Sequence, residues 1–332
     1  MIVSLTAESQ DIMIKLNLIE VNSEVGAGTR GTRLASEALK TVGFELENNF
    51  FQKHNIKTVE CFNEALYAND SKSPAKNSKA VLKTCTGVAS AVSNSLKEEF
   101  FPFIIAGDHS SAAGTIAGIK LAHPEKRLGI IWVDAHADLQ TPYTSDTGNM
   151  HGMPLAIASS EDNAEMTVND LTENLKEDWD RLKTISGKEP DIQISDIVFI
   201  GARDIDKAER SLMTKHKVKN FTVNEVRQSD AKTIVNQTYQ LLSECEIIYL
   251  SFDVDSMDPS VSVGTGTPVP DGLTSDEAFD LLKELVRNEK LICSEIVEVN
   301  PTLDTKNKMA KTVFPMMEEI AEIIENKNTD AN

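Results

Sequence analysis

Carboxylate and imidazole side chains cluster where three apolar segments of the sequence end. The residues concerned are His109, Asp134, His136, Asp138, Asp253 and Asp255. In a β-strand, residues two apart point to the same side, so Asp134 and His136, or Asp253 and Asp255, can converge on one point. Carboxylates crowded at one sheet edge repel one another unless cations hold them together. The spacing therefore predicts a metal site.

The ligand types indicate which metals would suit this site. Four carboxylates and two imidazoles without cysteine disfavour structural zinc and calcium, and they suit Mn²⁺, Fe²⁺ or Co²⁺. Six ligands exceed the need of one catalytic ion with an open position, and four negative charges balance two divalent ions. Two such ions, about 3.5–4 Å apart, lower the pKa of a water between them. The alternative, that each cluster only solvates a loop, does not account for three clusters together.

Short apolar runs alternate with amphipathic stretches, which places the clusters at strand ends. Strands are predicted in "IMIKLNLIEV" from Ile12, "FPFIIAGDHS", "RLGIIWVDAHAD", "DIVFIGARD", "EIIYLSFDVD" and "LICSEIVEVN". Helical periodicity covers 33–42, 78–96, 110–121, 232–243, 275–287 and 309–325. This alternation predicts an α/β fold, in which helices cover both faces of a mostly parallel sheet. The carboxyl ends of such strands form ligand crevices.

The composition, and the lack of a long linker rich in glycine or proline, indicate that residues 1–332 form one soluble domain. The net charge of −19 argues against nucleic acid or an anionic membrane as partner, because both would repel the chain. Four scattered cysteines fit reduced thiols in a cytoplasmic protein. No signal peptide or membrane anchor is expected from the sequence. Residues 159–191 are acidic and predict a surface insertion with a helix in "NDLTENLKEDWDRL".

The segment "GAGTRG", Gly26 to Gly31, matches the GxGxxG spacing of a dinucleotide-binding loop. That loop needs its first glycine directly at a strand end, whereas "NSEV" separates the strand from Gly26. Glu24 would also repel phosphates. An ordinary strand-to-helix turn is the preferred interpretation.

Taken together, "AGDHS", "DAHAD" and "SFDVDSMDP" resemble the three metal-binding signatures of the ureohydrolase family, which includes arginase, agmatinase and formiminoglutamase. The resemblance runs from about Phe101 to Val313 and implies a single α/β domain that binds two Mn²⁺ ions per subunit. It implies one ion held by His109, Asp134, Asp138 and Asp253, and another held by Asp134, His136, Asp253 and Asp255. Asp134 and Asp253 would bridge them. It also implies a homo-oligomer, a trimer or hexamer.

The loop "TSDTGNMHGMP" resembles the arginase version, which receives the α-carboxylate of an amino acid, more than the agmatinase version. Thr147 and Asn149 match its carboxylate-binding positions, and Gln140 stands where an asparagine commonly contributes. His151 matches a histidine that relays protons. In "GTGTP", Thr267 matches a position that lines the pocket.

Two further segments complete the implied substrate site. "GARDIDKAE" resembles the segment that holds the substrate α-amino group, with Asp206 at that position and Asp204 and Glu209 close by. "EIVEVNP" supplies Glu298, which would pair with the guanidinium group. An outward-facing position on an alternating strand is the alternative for Glu298.

The resemblance implies hydrolysis of L-arginine to urea and L-ornithine. By the same resemblance, the ions would supply a hydroxide for attack on the guanidinium carbon, Asp138 would pass a proton to the departing amine, and His151 would aid proton transfer. Alternatives are another ureohydrolase acting on agmatine, guanidinobutyrate or formiminoglutamate, and a non-catalytic arginine-binding regulator. The native metal among Mn²⁺, Co²⁺ and Fe²⁺ stays open.

Three positions depart from the family pattern. Ala106 replaces a glycine before "GDH" and is expected to affect the backbone next to His109. Gln140 adds a methylene to the usual asparagine, and Thr147 adds a methyl to the usual serine. None of these departures is a metal ligand.

Overall fold

The computed structural model describes residues 14–68, 72–187 and 189–327. The strands in these ranges are β1 (Leu16–Val21), β2 (Asn55–Thr58), β3 (Phe101–Ala106), β4 (Leu128–Val133), β5 (Ile197–Ile200), β6 (Lys219–Phe221), β7 (Ile247–Asp253) and β8 (Leu291–Val297). The predicted start of the first strand, Ile12, lies outside the described residues.

The strands form one eight-stranded sheet in the order β2-β1-β3-β8-β7-β4-β5-β6. Every pairing between neighbouring strands of this sheet is parallel. The predicted α/β class with a parallel sheet is therefore confirmed. β3 and β4 follow one another in the chain, but β8 and β7 lie between them. The ends of these four central strands thus meet where the strand order changes direction, which is where open α/β sheets form crevices.

Helices cover both faces of the sheet. Among the described residues they are α1 (Ala35–Glu45), α2 (Phe50–Lys53), α3 (Ser78–Lys97), α4 (Ala112–Ala122), α5 (Pro154–Ala158), α6 (Glu173–Lys183), α7 (Lys207–Lys215), α8 (Val223–Gln228), α9 (Ala231–Leu241), α10 (Ser275–Leu285) and α11 (Lys308–Glu325). Buried residues of α1, α9, α10 and α11 pack on one face. Those of α3, α4 and α7 pack on the other.

The central strands are apolar throughout because both of their faces are covered. In β4, Ile130 and Trp132 pack into one hydrophobic layer, while Ile131 and Val133 pack into the other. All four side chains are fully buried. A continuous apolar run is therefore the expected pattern for this strand.

Helix α10 shows how the local sequence forms the outer layers. Thr274 and Glu277 form a capping box that binds exposed backbone N–H groups at its start. Ala278, Leu281 and Leu285, at helical spacing, are buried against the sheet. The polar residues between them face outward.

All six predicted strands are present, but β2 and β6 were not predicted. Both lie at the edges of the sheet. β2 is mostly exposed and β6 has three residues. Short, half-exposed edge strands carry no continuous apolar run, so the pattern that identified the central strands is missing from them.

The helix predicted within the acidic segment 159–191 is present as α6, which begins at Glu173 and ends one residue beyond the predicted stretch, at Lys183. The helix buries Leu175, Trp179 and Leu182 in a cluster with residues of α3. Ser78 donates a hydrogen bond to Asp178 over 2.9 Å. One face of α6 is thus part of the packed structure, while its acidic face is in solvent.

Among the described residues, no helix has both the length and the apolar composition that crossing a bilayer requires.

Asp191, at the end of this segment, gives a stability prediction. Its side chain is 7% exposed, and Oδ1 has no hydrogen-bond partner among the described residues. Burial raises the pKa of Asp191 from 3.8 to about 6. Because the folded state binds this proton more tightly than the unfolded chain, the free energy of unfolding falls as pH rises from about 4 to about 6. Asp191→Asn removes this loss.

We expect Asp191→Asn to raise the free energy of unfolding by about 1–2 kcal/mol at pH 7.5, with little change near pH 4. Urea denaturation at both pH values measures this difference. Asp170→Asn, at an exposed position of the same segment, is the control. An equal effect at both pH values would contradict the explanation.

Candidate metal centre

His109 faces three carboxylates at the ends of the central strands. Its Nδ1 lies 3.1 Å from Asp134 Oδ2, 3.0 Å from Asp138 Oδ2 and 3.2 Å from Asp253 Oδ2. His109 follows β3, Asp134 follows β4, and Asp253 ends β7. All four side chains are buried. The parallel sheet therefore brings residues from distant parts of the chain to one point.

His136 forms the second half of the cluster. Its Nδ1 lies 3.0 Å from Asp255 Oδ2 and 3.4 Å from Asp134 Oδ1. Its Nε2 lies 3.9 Å from Asp204, whose side chain is 71% exposed. Asp134 thus presents one oxygen to each imidazole, as a bridging ligand would.

Two sets of side chains have ligand atoms within 4.8 Å of one another. The sets are His109, Asp134 and Asp253, and Asp134, His136 and Asp255. They share Asp134 and lie side by side. This arrangement can hold two cations.

Backbone hydrogen bonds fix the carboxylates. The N–H of His136 donates to Asp134 Oδ1 over 2.7 Å, and the N–H of Ala135 donates to Asp255 Oδ1 over 3.1 Å. Ala135 and Ala137 are fully buried, which fits the close approach of the strand ends. Asp138 has a left-handed backbone with φ of 49°. Non-glycine residues uncommonly adopt this conformation, although aspartate does so more readily than most.

Two residues that the sequence interpretation missed orient His109. Ser251 Oγ lies 2.8 Å from His109 Nε2. The Trp132 ring stacks on the imidazole, with ring centroids 4.1 Å apart and planes 4° apart. These contacts leave Nδ1 facing the carboxylates. Ser251 lies two residues before Asp253 on β7, so strand alternation could have placed it on the same side.

The pKa values show strong coupling among these groups. Burial, followed by the charges of Asp255 and Asp134, raises the pKa of Asp253 well above its usual value. Burial and Asp134 raise the pKa of Asp138 to about 6. Burial alone would lower the pKa of His109, but the carboxylates of Asp134, Asp138 and Asp253 close to its Nδ1 raise it well above the usual value. Protons therefore compete with cations for this cluster.

The donor set fits divalent cations. His109 Nδ1 and Asp134 Oδ2 are buried and have no hydrogen-bond partner among the described residues. Buried polar atoms in native proteins are normally satisfied, so such a pair points to an ion. Oxygen-rich ligands with imidazole suit Mn²⁺, Fe²⁺ or Co²⁺.

A cavity of about 230 Å³ opens above the cluster. Its lining comprises His109, His136, Asp138, Gln140, Thr147, Asn149, His151, Gly152, Asp204, Asp206, Glu209, Asp253, Asp255 and Thr267. A larger cavity of about 910 Å³, beside α3 and α6, contains none of the candidate ligands. The smaller cavity is thus the one whose lining contains predicted metal ligands.

Gln140 connects two walls of this cavity. Its Nε2 donates to Asp206 Oδ2 over 3.1 Å, and its Oε1 accepts a hydrogen bond from Ser145 over 2.8 Å. Asp206 and Glu209 form a capping box at the start of α7. Glu209 also accepts a hydrogen bond from the N–H of Leu139 over 3.0 Å. Glu209 lines the cavity, but both of its carboxylate oxygens accept hydrogen bonds from backbone N–H groups, those of Leu139 and Asp206.

The loop that contains Thr147 and Asn149 forms the opposite wall. Thr147 Oγ1 accepts a hydrogen bond from the N–H of Asn149 over 3.1 Å. Asn149 Oδ1 accepts one from Lys76 Nζ over 3.1 Å. Thr267 donates to Asp255 Oδ2 over 3.2 Å, next to the candidate ligands.

Glu298 and His151 form a pair behind the cavity. Glu298 is 1% exposed, and its backbone is left-handed with φ of 66°. Its Oε1 accepts a hydrogen bond from the N–H of His109 and lies 3.0 Å from His151 Nδ1. Its Oε2 is buried without a hydrogen-bond partner among the described residues. The outward-facing alternative for Glu298 is therefore wrong.

The "GAGTRG" segment packs against the loops that contain Asp108, His151 and Asn149. The N–H of Gly26 donates to buried Asp108 over 3.1 Å, and the N–H of His151 donates to the Gly26 carbonyl over 3.1 Å. A Cβ on Gly28 would lie 2.5 Å from Asn149 Nδ2. These glycines allow close packing of loops. Asp108, which sequence reasoning did not single out as a positioning residue, holds this segment.

Ala106 pairs with Val21 in the regular register between β1 and β3. The tight position is the next residue, since a Cβ on Gly107 would overlap the Ser23 carbonyl oxygen. The alanine is therefore accommodated in the strand without a break in its pairing.

Known proteins share both the sequence pattern and the fold. A sequence model of the arginase family matches residues 15–322. The chain is 32% identical over 308 residues to an arginase of Bacillus caldovelox, covering 92% of this chain and 97% of that protein. It is likewise 32% identical to an arginase of Bacillus subtilis strain 168, with the same coverage.

Solved structures agree with these matches. A crystal structure of Entamoeba histolytica arginase in complex with L-ornithine superposes with a TM-score of 0.79 at 27% identity, covering 94% of this chain and 99% of that one. The chain belongs to the arginase family.

Proposed function

We propose that this chain is a manganese-dependent arginase, which hydrolyses the guanidinium group of L-arginine to urea and L-ornithine. The observation that carries the proposal is the pair of overlapping ligand sets that share Asp134. The relatives at 32% identity, described as arginases, support the choice of substrate.

The proposed ligands of two Mn²⁺ ions per subunit are the six residues predicted from the sequence: His109, Asp134, His136, Asp138, Asp253 and Asp255. Co²⁺ and Fe²⁺ are alternative ions, because their ligand preferences overlap with those of Mn²⁺. When bound, the ions lower the pKa of water and supply hydroxide at neutral pH.

Glu298 binds the guanidinium group in this proposal. Its buried Oε2 has no hydrogen-bond partner among the described residues, and a guanidinium N–H is a suitable donor for it. His151, 3.0 Å from the other oxygen of Glu298, relays protons. Asp138, which lines the same cavity, passes a proton to the departing amine.

The amino-acid end of the substrate lies toward the cavity walls. Asp206 receives the α-amino group, with Asp204 and Glu209 near it. The α-carboxylate is received by Gln140, Thr147 and Asn149, and Thr267 lines the pocket beside the ions. All of these residues line the one cavity, which supports their assignment to one substrate.

We further propose a cytoplasmic homo-oligomer, a trimer or hexamer. The free cysteines Cys85, Cys245 and Cys293 are buried, which suits a reducing compartment. Size-exclusion chromatography with light scattering measures the oligomeric state.

A substrate panel tests the proposed activity. Protein loaded with Mn²⁺ is offered L-arginine, agmatine, guanidinobutyrate or formiminoglutamate, and urea and formamide are measured. We expect urea from L-arginine. Urea from agmatine alone would contradict the arginase assignment, and no product from any compound would favour a non-catalytic binding protein.

The variant Gln140→Asn tests whether Gln140 helps to bind the α-carboxylate of the substrate. The shorter amide cannot reach both Asp206 and Ser145 as Gln140 does, so we expect the KM for L-arginine to rise about threefold to tenfold, with a smaller change in kcat. Steady-state urea formation measures both constants. Gln237→Asn, at an exposed position of α9, is the control, and an unchanged KM would show that Gln140 does not help to place the substrate.

A further inference from the structure

Within the described part of the chain, the catalytic cavity has no lysine or arginine side chain in its lining that could pair with a substrate carboxylate. Its ionisable lining consists of aspartates, Glu209 and histidines, and no lysine or arginine of the described residues lines it. The proposed ions balance the charge of their own ligands, but Asp204 and Asp206 also line the cavity and would repel the α-carboxylate of an amino-acid substrate. Recognition of this group therefore calls for a positive charge beyond the lining.

Lys76 provides such a charge through Asn149. A second cavity of about 180 Å³ adjoins the catalytic one, and Asn149 lines both. Lys76 and Arg30 line the second cavity. Lys76 Nζ donates to Asn149 Oδ1 over 3.1 Å. The ammonium group is thus one side chain away from the catalytic cavity.

This hydrogen bond fixes the orientation of the Asn149 amide. An ammonium group can only donate, so the atom that it contacts must be the amide oxygen. The Nδ2 group is then the other end of the amide, and it lies close to Gly28, because a Cβ there would lie 2.5 Å from Nδ2. Asn149 therefore offers a hydrogen-bond donor, which a carboxylate requires.

Lys76 and the loop are held together by the backbone as well. The N–H of Lys76 donates to the Gly148 carbonyl over 2.8 Å. Arg30, in contrast, uses its Nη1 to bind the carbonyl oxygens of Glu24, Ala27 and Thr29. Of the two cations, Lys76 is the one whose charged group contacts a side chain of the catalytic cavity.

We propose that Lys76 is a specificity-determining residue for the substrate α-carboxylate. It orients the Asn149 amide and supplies the positive charge that the catalytic cavity lacks. The inference rests on the proposed arginine hydrolysis and deepens it, because it names the residue that favours a zwitterionic substrate over one without a carboxylate.

Titration calorimetry of the Mn²⁺-loaded protein tests the inference with two ligands, L-ornithine and L-ornithinamide, in which a neutral carboxamide replaces the carboxylate. We expect Lys76→Met to raise the Kd of L-ornithine about tenfold and that of L-ornithinamide less than about twofold. In kinetics with L-arginine, the KM rises while kcat changes much less. Lys76→Arg, which keeps the charge, restores part of the affinity.

Lys79→Met is the matched control, because Lys79, three residues after Lys76 and near the start of α3, is exposed and its loss changes the net charge equally. Bound metal and thermal unfolding midpoints show that each variant is folded and loaded. The inference is overturned if Lys76→Met leaves the Kd of L-ornithine within twofold of the wild-type value, or weakens both ligands equally. Wild-type protein that releases no urea from L-arginine would overturn the proposed function as well.

A double-mutant cycle separates the role of Lys76 through Asn149 from an independent one. If Lys76 acts by orienting Asn149, the effects of Lys76→Met and Asn149→Ala on the Kd of L-ornithine combine to less than the product of the single effects. Fully multiplicative effects would overturn the orientation role.

Discussion

Asp253→Asn is expected to lower kcat/KM for L-arginine by about 1,000-fold or more and to reduce bound metal. Asp253 Oδ2 lies 3.2 Å from His109 Nδ1, and the side chain belongs to one of the two ligand sets. Asparagine removes a negative charge that balances the cations. Urea assays combined with elemental analysis of the desalted protein measure both effects.

Asp258→Asn is the control for this substitution. Asp258 lies in the same loop but accepts hydrogen bonds from the N–H groups of Ser260 and Gly272, away from the cluster. We expect it to retain metal and activity. An Asp253→Asn protein with full activity and undiminished metal content would refute the ligand assignment.

Glu298→Gln is expected to lower kcat/KM for L-arginine by about 100-fold or more while metal content is retained. The loss of the negative charge removes a buried, charge-assisted partner for the guanidinium group, and such changes cost several kcal/mol. The result would separate substrate binding from metal binding, because Glu298 is outside both ligand sets.

Glu289→Gln, at an exposed position two residues before β8, serves as the control for a neutral substitution. A thermal unfolding scan checks that the Glu298→Gln protein is folded. Activity of Glu298→Gln within about threefold of the wild-type value would show that another group binds the guanidinium.

The central fold and the ligand cluster could be predicted from the sequence because both follow from local patterns. Apolar runs identify strands that are buried on both faces, and parallel strands bring their carboxyl ends to one sheet edge. The spacing in "DAHAD" and "FDVD" then places side chains on one side of each strand. The distances around His109 and His136 agree with this reasoning.

Contacts between loops could not be predicted in this way. The bond from Gln140 to Asp206 and the bond from Lys76 to Asn149 each join residues 66 or more positions apart, and no local periodicity reports such a pairing. The left-handed backbone of Glu298 is likewise imposed by tertiary contacts, since glutamate does not favour it intrinsically. In the proposed function, the contacts of Gln140 and Asn149 contribute to substrate preference.

In the acidic segment 159–191, charge alone does not predict which residues are buried. Its charged residues suggested a surface insertion, and the buried face of α6 shows up only in the spacing of Leu175, Trp179 and Leu182. Because the charged residues outnumber these three in the sequence, composition hides the contact with α3.

Titration of metal-free protein with Mn²⁺, with urea formation from L-arginine followed at each step, tests the central claim most directly. The two overlapping ligand sets predict that activity reaches its plateau at two equivalents of Mn²⁺ per chain and that most of it appears with the second. Full activity at one equivalent, or no urea from L-arginine at any loading, would contradict it.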